Sequence, residues 1–194
     1  MPSLVEVTAP ATNPVTDDEA KLHEKIDTDA DDAVIAEMVT AATEAIQEHT
    51  FRQLVTATYD WKLDAFPASD RDALCVPKPP LQSVTSITYT ATDGTSTVWS
   101  SSEYTVDTAT QPGRIIPAYG YSWPATRDEI NAVTIRFVCG YGDAADVPAA
   151  LKVAIKELVG QMYVYRESGQ PMTISSVPTQ YHYLLAKYTM RGFR

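Results

Sequence analysis

Alternating carboxylates early in the chain are the first feature that suggests chemistry. Asp27, Asp29 and Asp31 stand two residues apart, which is the ligand spacing of a calcium-binding loop. The sixth position of such a loop should be glycine and is Asp32, and the twelfth should be glutamate and is Met38. These departures favour a second interpretation, in which the carboxylates begin a helix and meet the positive end of its dipole.

Other residue types that could support catalysis or ligand binding are not arranged in a familiar pattern. His23, His49 and His182 are far apart in sequence and have no metal-ligand spacing. Gly140 and Gly142 alone do not make a phosphate-binding loop, and no serine has the context of a catalytic nucleophile. The sequence therefore predicts a protein that is not an enzyme and that uses no cofactor or metal.

A long helix is the strongest structural signal, and we predict it from Asp31 to about His49. Its apolar residues recur at intervals of three and four, so they share one face that should be buried. They are Val34, Ile35, Met38, Val39, Ala42, Ala45 and Ile46. Thr28 or Asp29 is expected to cap this helix. A shorter helix should precede it, with a capping box between Thr16 and Glu19.

The middle of the chain alternates between apolar and polar residues, which predicts short strands. The predicted strands are 55–63, 73–76, 83–90, 97–99, 104–107, 113–116 and 132–139, with a hairpin turn at Asp93-Gly94. A second long helix is predicted over 148–168. The fold class is therefore α+β. We expect a helical core of two long helices plus short helices, an inserted antiparallel β region over 53–142, and extended termini.

Charge is distributed unevenly along the chain. Residues 1–50 contain twelve acidic and two basic side chains, whereas residues 148–194 contain two acidic and six basic ones. An acidic surface argues against gripping nucleic acid, because affinity for phosphates comes mainly from cations. It is compatible with DNA that passes nearby, and also with a solvated face that maintains solubility.

The two cysteines and the hydropathy profile give expectations about location. Cys75 and Cys139 each lie in an apolar, strand-like context, so both are expected to be buried reduced thiols. No apolar run approaches the length needed to cross a bilayer, and the N-terminus does not resemble a secretory signal. We therefore expect synthesis in the cytoplasm and no membrane partner.

Aromatic and basic residues in two stretches suit contacts with other proteins, because aromatic and arginine side chains dominate interface energetics. One stretch is the loop that contains Tyr119, Tyr121 and Trp123, for which a sugar-binding or hydrolytic module is an alternative. The other is the tail from Tyr188 to Arg194, which is both apolar and basic. A terminus is usually solvated, so apolar residues there indicate a partner.

Four blocks of sequence, in order along nearly the whole chain, resemble the head–tail connector (adaptor) proteins of long-tailed bacteriophages. They are Asp27–Asp32 with Ala41–Ile46 and Phe51–Leu54; Tyr59–Leu63 with Phe66-Pro67, Pro77–Val84 and Ile87–Tyr89; Val133–Gly142 with Val147–Leu151; and Tyr163, Arg166-Glu167 and Leu184–Tyr188. The stretch 1–14 lies outside the resemblance.

The resemblance implies a structural virion protein in the neck between capsid and tail, with a host-cytoplasmic phase during assembly. Such proteins form a ring, expected to hold twelve copies, beneath the portal protein. The ring extends the DNA channel without binding DNA specifically, and it docks the next neck or tail-completion protein. A different neck or tail-completion component of the same virion is the alternative. The acidic N-terminal region would line the channel or form an outer rim.

We expect three parts in the chain. Residues 1–14, which contain Pro2, Pro10 and Pro14 and show little periodicity, should form an extended arm that orders only against a partner. By the resemblance, a connector domain follows over 15–168 and a portal-binding tail over 169–194. Residues expected at the portal are Leu184, Leu185, Tyr188, Arg191, Phe193 and Arg194. Residues expected at the contacts within the ring or with the neck are Tyr119, Tyr121, Trp123, Tyr163, Tyr165 and Arg166. Removal of residues 181–194 is expected to leave a folded protein that no longer joins filled heads.

Overall fold

Two compact units make up the chain in the computed structural model, which describes residues 2–165 and 179–190. The β unit combines Met1–Pro10 with Thr56–Tyr141, and the helical unit combines Ala11–Val55 with Gly142–Arg194. The described part of the chain is a mixed α+β protein with antiparallel sheets, as predicted.

The β unit contains two antiparallel sheets. Its strands are β1 (Ser3–Thr8), β2 (Ala57–Leu63), β3 (Leu74–Cys75), β4 (Leu81–Thr90), β5 (Ser96–Trp99), β6 (Tyr104–Asp107), β7 (Arg114–Pro117) and β8 (Val133–Cys139). The larger sheet has the order β1-β2-β8-β4-β5, and the smaller has the order β3-β7-β6. The seven strands predicted from alternation are confirmed to within two residues at each end. The predicted hairpin turn is confirmed too: Gly94 has a φ of +91°, which glycine adopts without strain.

Strand β8 is the centre of the larger sheet and shows why alternation predicted it. Ile135 and Phe137 on one face are fully buried, and the ring of Phe137 lies 6.0 Å from that of Tyr59 on the adjacent β2. On the opposite face, Arg136 is more exposed and forms two hydrogen bonds of 2.8 Å with the carboxylate of Asp60. The sheet therefore buries one face and leaves the other polar.

The N-terminal residues differ from the predicted free arm. Ser3–Thr8 form the edge strand β1, which pairs with β2 of the same chain. Leu4 packs against the core of the β unit, and Tyr59 donates a hydrogen bond of 3.1 Å from its hydroxyl to the carboxylate of Glu6. Sequence pattern missed this strand because it is short and buries little of its own surface, so its order depends on β2.

The helical unit contains α1 (Asp17–Glu24), α2 (Asp32–Thr50), α3 (Ala149–Tyr165) and α4 (Thr179–Ala186), with a 3₁₀ turn at Ala144–Asp146. The two predicted long helices are confirmed, and α2 packs against α3 while α4 also contacts α3. Residues that α2 and α3 bury include Ile35, Val39, Ala42 and Ile46 on the first and Leu151, Ala154, Ile155 and Val159 on the second. The three-and-four spacing therefore identified most of the packed face, but Val34, which was expected on that face, is 41% exposed in the first turn of α2.

The helix starts were predicted with mixed success. The capping box is confirmed: Thr16 accepts from the amide of Glu19, and the Glu19 carboxylate accepts from the amide of Thr16. The predicted cap of α2 is wrong, because its N-cap residue is Asp31 and that side chain makes no capping bond.

The neighbouring carboxylates instead join α1 to the start of α2. The Nζ of Lys21 donates to Asp29 at 2.8 Å and to Asp32 at 2.6 Å. These hydrogen bonds raise the pKa of Lys21, and the bond from Lys21 lowers the pKa of Asp29. Among the described residues, no group of three or more His, Cys, Asp or Glu side chains is arranged to hold a metal ion. None of the described helices has the length and apolar character that a membrane span requires.

The two cysteines lie in different environments, so the expectation that both are buried is wrong for one of them. Cys75 is exposed because β3 is only two residues long and lies at the edge of the smaller sheet. Cys139 is fully buried, and burial raises the pKa of its thiol to about 12. Only the thiolate is a good nucleophile.

We therefore expect a thiol reagent such as DTNB to modify one cysteine per chain at neutral pH in the native protein and two after unfolding. The reactive residue is Cys75, and the Cys75→Ser variant should lose the native-state reaction. Spectrophotometric titration of released thiolate measures both stoichiometries. Rapid reaction of a second thiol in the native protein would contradict the burial of Cys139.

Candidate docking surfaces

The aromatic loop that follows β7 is held in place by Trp123. The Trp123 ring stacks on Phe66 at 5.1 Å between centroids and lies 5.4 Å from the ring of Trp99. Its backbone amide donates to the carboxylate of Asp70 at 2.9 Å, and its indole N–H donates to the carbonyl of Ser69 at 3.2 Å. Trp123, predicted as a contact residue, therefore anchors the loop within the β unit.

Two tyrosines of the same loop face solvent. Tyr119 is fully exposed and Tyr121 is half exposed. Gly120 lies between them with a φ of +86°, a conformation that favours glycine. Tyr121 also donates its backbone amide to the carbonyl of Ala118, which closes a turn. The loop thus presents two aromatic side chains from a fixed base.

Replacing Trp123 with alanine should release this loop. We expect a loss of about 2 kcal/mol in the free energy of unfolding, because a partly buried indole loses its stacking and its hydrogen bond. Tyr119→Ala is the matched control and should leave stability unchanged, since the Tyr119 ring is fully exposed. Urea denaturation of both variants measures the difference, and equal stabilities would show that Trp123 does not anchor the loop.

The end of α3 carries the second group of predicted contact residues. The hydroxyl of Tyr163 donates to the carboxylate of Asp31 at 2.8 Å, so this tyrosine is engaged within the helical unit. Tyr165 is 54% exposed and its neighbour Val164 is 67% exposed, so both lie at the surface. Arg166 lies outside the described residues.

The predicted portal-binding residues fall into three groups. Leu185 is fully buried and belongs to the core of the helical unit. Leu184 and Tyr188 are half-buried, and Tyr188 packs under the guanidinium of Arg52. Arg191, Phe193 and Arg194 lie outside the described residues. Removal of residues 181–194 would therefore also remove the buried Leu185, so a test of the tail needs a cut that begins after this residue.

Arg52 is the residue of this region that the sequence did not single out. It is almost completely buried just after α2, and it contacts the backbone carbonyl and ring of Tyr188 and the sulfur of Met190. An arginine just past a long helix is an ordinary surface pattern, so no sequence signal separates a buried one from an exposed one.

An α+β protein with an antiparallel β unit, a helical unit and exposed aromatic side chains is suited to binding other proteins. The chain belongs to the phage gp6-like head-tail connector protein family, whose sequence model matches residues 16–112. As a member of that family it is a structural protein of the head–tail connection. The resemblance inferred from the four sequence blocks is thus confirmed.

Solved structures similar to this chain are chains of gene transfer agent (GTA) particles. One, from a "Virion of native gene transfer agent (GTA) particle", has a TM-score of 0.79 and 24% identity, covering 98% of this chain and 97% of that chain. A second, from the "Neck of empty GTA particle computed with C6 symmetry", has a TM-score of 0.77 and 25% identity over the same shares. A third, from the "Neck of native GTA particle computed with C12 symmetry", has a TM-score of 0.71 and 24% identity, again over 98% and 97%. No curated protein matched the chain.

Proposed function

We propose that this protein is the connector subunit of a virion neck, where copies of it form a ring beneath the portal protein. The ring extends the DNA channel and docks the next neck or tail-completion protein. The observation that carries this proposal is the combination of the connector family match with a similarity to neck chains that covers 98% of this chain. The protein would assemble in the host cytoplasm and remain in the virion.

A ring of twelve copies is supported by the twelve-fold symmetry under which one similar neck was computed. A closed ring needs a heterologous interface, in which one face of each subunit meets a different face of its neighbour. Exposed apolar side chains of the β unit are candidates for that contact or for the neck contact, and they include Val98, Tyr119 and Tyr121. Val164 and Tyr165 are the candidates from the helical unit.

The acidic N-terminal part supports a channel or rim that does not hold DNA. Exposed carboxylates on α2 include Glu37, Glu44 and Glu48. Carboxylates repel phosphates and release no counterions on contact with DNA, so they give no affinity for it. DNA could therefore move past such a surface during packaging and ejection.

We regard the helical unit as the scaffold of the connector and the β unit as its insertion. The connector domain would span 15–168, with 1–14 as an N-terminal arm whose strand β1 pairs with β2, and with 169–194 as a portal-binding segment. Of the residues predicted at the portal, Leu184, Tyr188, Arg191, Phe193 and Arg194 are the ones proposed to contact it, and Leu185 holds α4 in place.

Negative-stain imaging of the purified protein with its portal protein tests the proposal directly. We expect rings with twelve-fold rotational symmetry, stacked coaxially on the portal ring. A ring that joins only the tail side of the neck would identify a different neck or tail-completion component. Particles in which this protein remains monomeric and separate from the portal would contradict the proposal.

A further inference from the structure

Arg52 is a buried cation at the C-terminal end of α2. Only 5% of its surface is exposed. Phe51 ends the helix in the left-handed conformation, with a φ of +55°, and Arg52 is the next residue after this turn of the chain. A cation in this position interacts favourably with the negative end of the helix dipole. Burial of a charge is costly without partners, so this guanidinium requires contacts that offset the cost.

The described partners of Arg52 lie in the segment just after α4. Its Nε donates to the backbone carbonyl of Tyr188 at 2.6 Å, and its Nη2 lies 3.6 Å from the sulfur of Met190. The guanidinium carbon also lies 6.0 Å from the centre of the Tyr188 ring, within the range of a cation–π interaction. The amide of Met190 donates to the carbonyl of Thr50 at 3.4 Å. Residues 188–190 are therefore fastened to the end of α2.

These contacts join positions separated by 136 and 138 residues in sequence, and they involve the last residues before the proposed portal-binding end. Two of the contacts involve the backbone of this segment: Arg52 donates to the carbonyl of Tyr188, and the amide of Met190 donates to Thr50. They therefore fix the path of the backbone as well as the positions of side chains. Met190, the last described residue, is therefore held at the C-terminal end of α2.

We propose that Arg52 is a positioning residue that fixes the point from which the C-terminal segment leaves the helical unit. This inference rests on the proposed function, in which Arg191, Phe193 and Arg194 are among the residues that bind the portal. Fixing the start of a short segment lowers the entropy lost when it binds. In a ring, every copy then presents its C-terminal residues from the same place, so that the copies bind the portal together.

Amide hydrogen exchange of the isolated full-length protein tests the contact without any partner. In Arg52→Met, exchange over residues 185–190 should rise about tenfold to hundredfold, because a hydrogen bond from a charged donor is lost. Arg52→Lys keeps the charge but loses the planar fork, and it should give a smaller rise. Arg114→Met is the matched control, since Arg114 pairs with Asp107 in the β unit. Unchanged exchange in Arg52→Met would overturn the inference.

Binding to portal-bearing filled heads then tests the consequence, alongside a chain that lacks residues 191–194. We expect Arg52→Met to bind more weakly and the truncated chain to lose binding. Wild-type binding by Arg52→Met, with binding lost on truncation, would overturn the role of Arg52 and leave the proposed function standing. Wild-type binding by the truncated chain would instead refute the proposed portal contact. If Arg52→Met fails to fold, the double variant Tyr188→Ala/Met190→Ala removes the cation–π and sulfur contacts of Arg52 and keeps its hydrogen bond to the backbone carbonyl of residue 188. It should raise exchange over 185–187 by less than Arg52→Met would, and unchanged exchange would overturn the inference.

Discussion

Removal of residues 191–194 is expected to abolish attachment to filled heads while the protein stays folded. The deleted residues include Arg191, Phe193 and Arg194, and arginine and aromatic side chains carry much of the energy of protein interfaces. If two of them each contribute about 2 kcal/mol, affinity falls about a thousandfold per subunit, and more in a ring. The cut leaves in place the buried Leu185 and the contacts of Arg52 with Tyr188 and Met190, so the Tm should change by no more than about 2 °C.

Co-sedimentation of the purified chain with portal-bearing filled heads measures this effect, and thermal denaturation measures stability. The double variant Arg191→Lys/Arg194→Lys is the matched control, since it keeps the charge of the tail and the aromatic ring of Phe193. It should retain part of the binding, because lysine replaces the charge but not the bidentate geometry. If the truncated chain joins heads with the same yield as the wild type, residues 191–194 do not contribute to the interface.

The elements that the sequence predicted well are those whose order follows from their own pattern. Alternation along β8 and three-and-four spacing along α2 identify the buried faces, since each element covers enough apolar surface to fix its orientation. The capping box at Thr16 was predictable for the same reason, because both of its partners lie within one helical turn.

The features that the sequence could not predict depend on residues far away along the chain. Strand β1 exists because β2 pairs with it, and the paired residues are fifty or more positions apart in sequence. The carboxylates Asp29 and Asp32 bind Lys21 of another helix, where local spacing had suggested a cap or a calcium loop. Cys75 was expected to be buried from its apolar neighbours, yet exposure follows from the edge position of its strand.

The candidate contact residues show the same division. Composition found the aromatic loop, and Tyr119 and Tyr121 are indeed exposed there. Composition could not separate them from Trp123, which has the same chemical character but stacks on Phe66. The amphipathic pattern of α4 could not show that Leu185 is buried while Tyr183 is 77% exposed, because the helix has only eight residues.

Phe137→Ala is expected to cost about 3–5 kcal/mol in the free energy of unfolding of the β unit. Phe137 is fully buried on the central strand β8, and its ring stacks with Tyr59. A smaller residue there leaves a cavity between β8 and its neighbours, which rigid strands cannot close. Since domains are typically stable by only 5–15 kcal/mol, the loss would be a large fraction of the total.

Urea denaturation followed by tryptophan fluorescence is suited to this prediction, because all three tryptophans, Trp61, Trp99 and Trp123, lie in the β unit. Val98→Ala is the matched control: it also shortens an apolar side chain on the larger sheet, but Val98 is 67% exposed on the edge strand β5. The free energy of unfolding of Val98→Ala should differ from that of the wild type by less than about 0.5 kcal/mol. A Phe137→Ala midpoint that shifts no further than that of the control would mean that β8 does not form the centre of the core.

Comparison with far-ultraviolet circular dichroism, to which the helices contribute most, shows whether the helical unit unfolds in the same transition. If Phe137→Ala destabilises the β unit alone, its fluorescence transition should occur at a lower urea concentration than its dichroism transition.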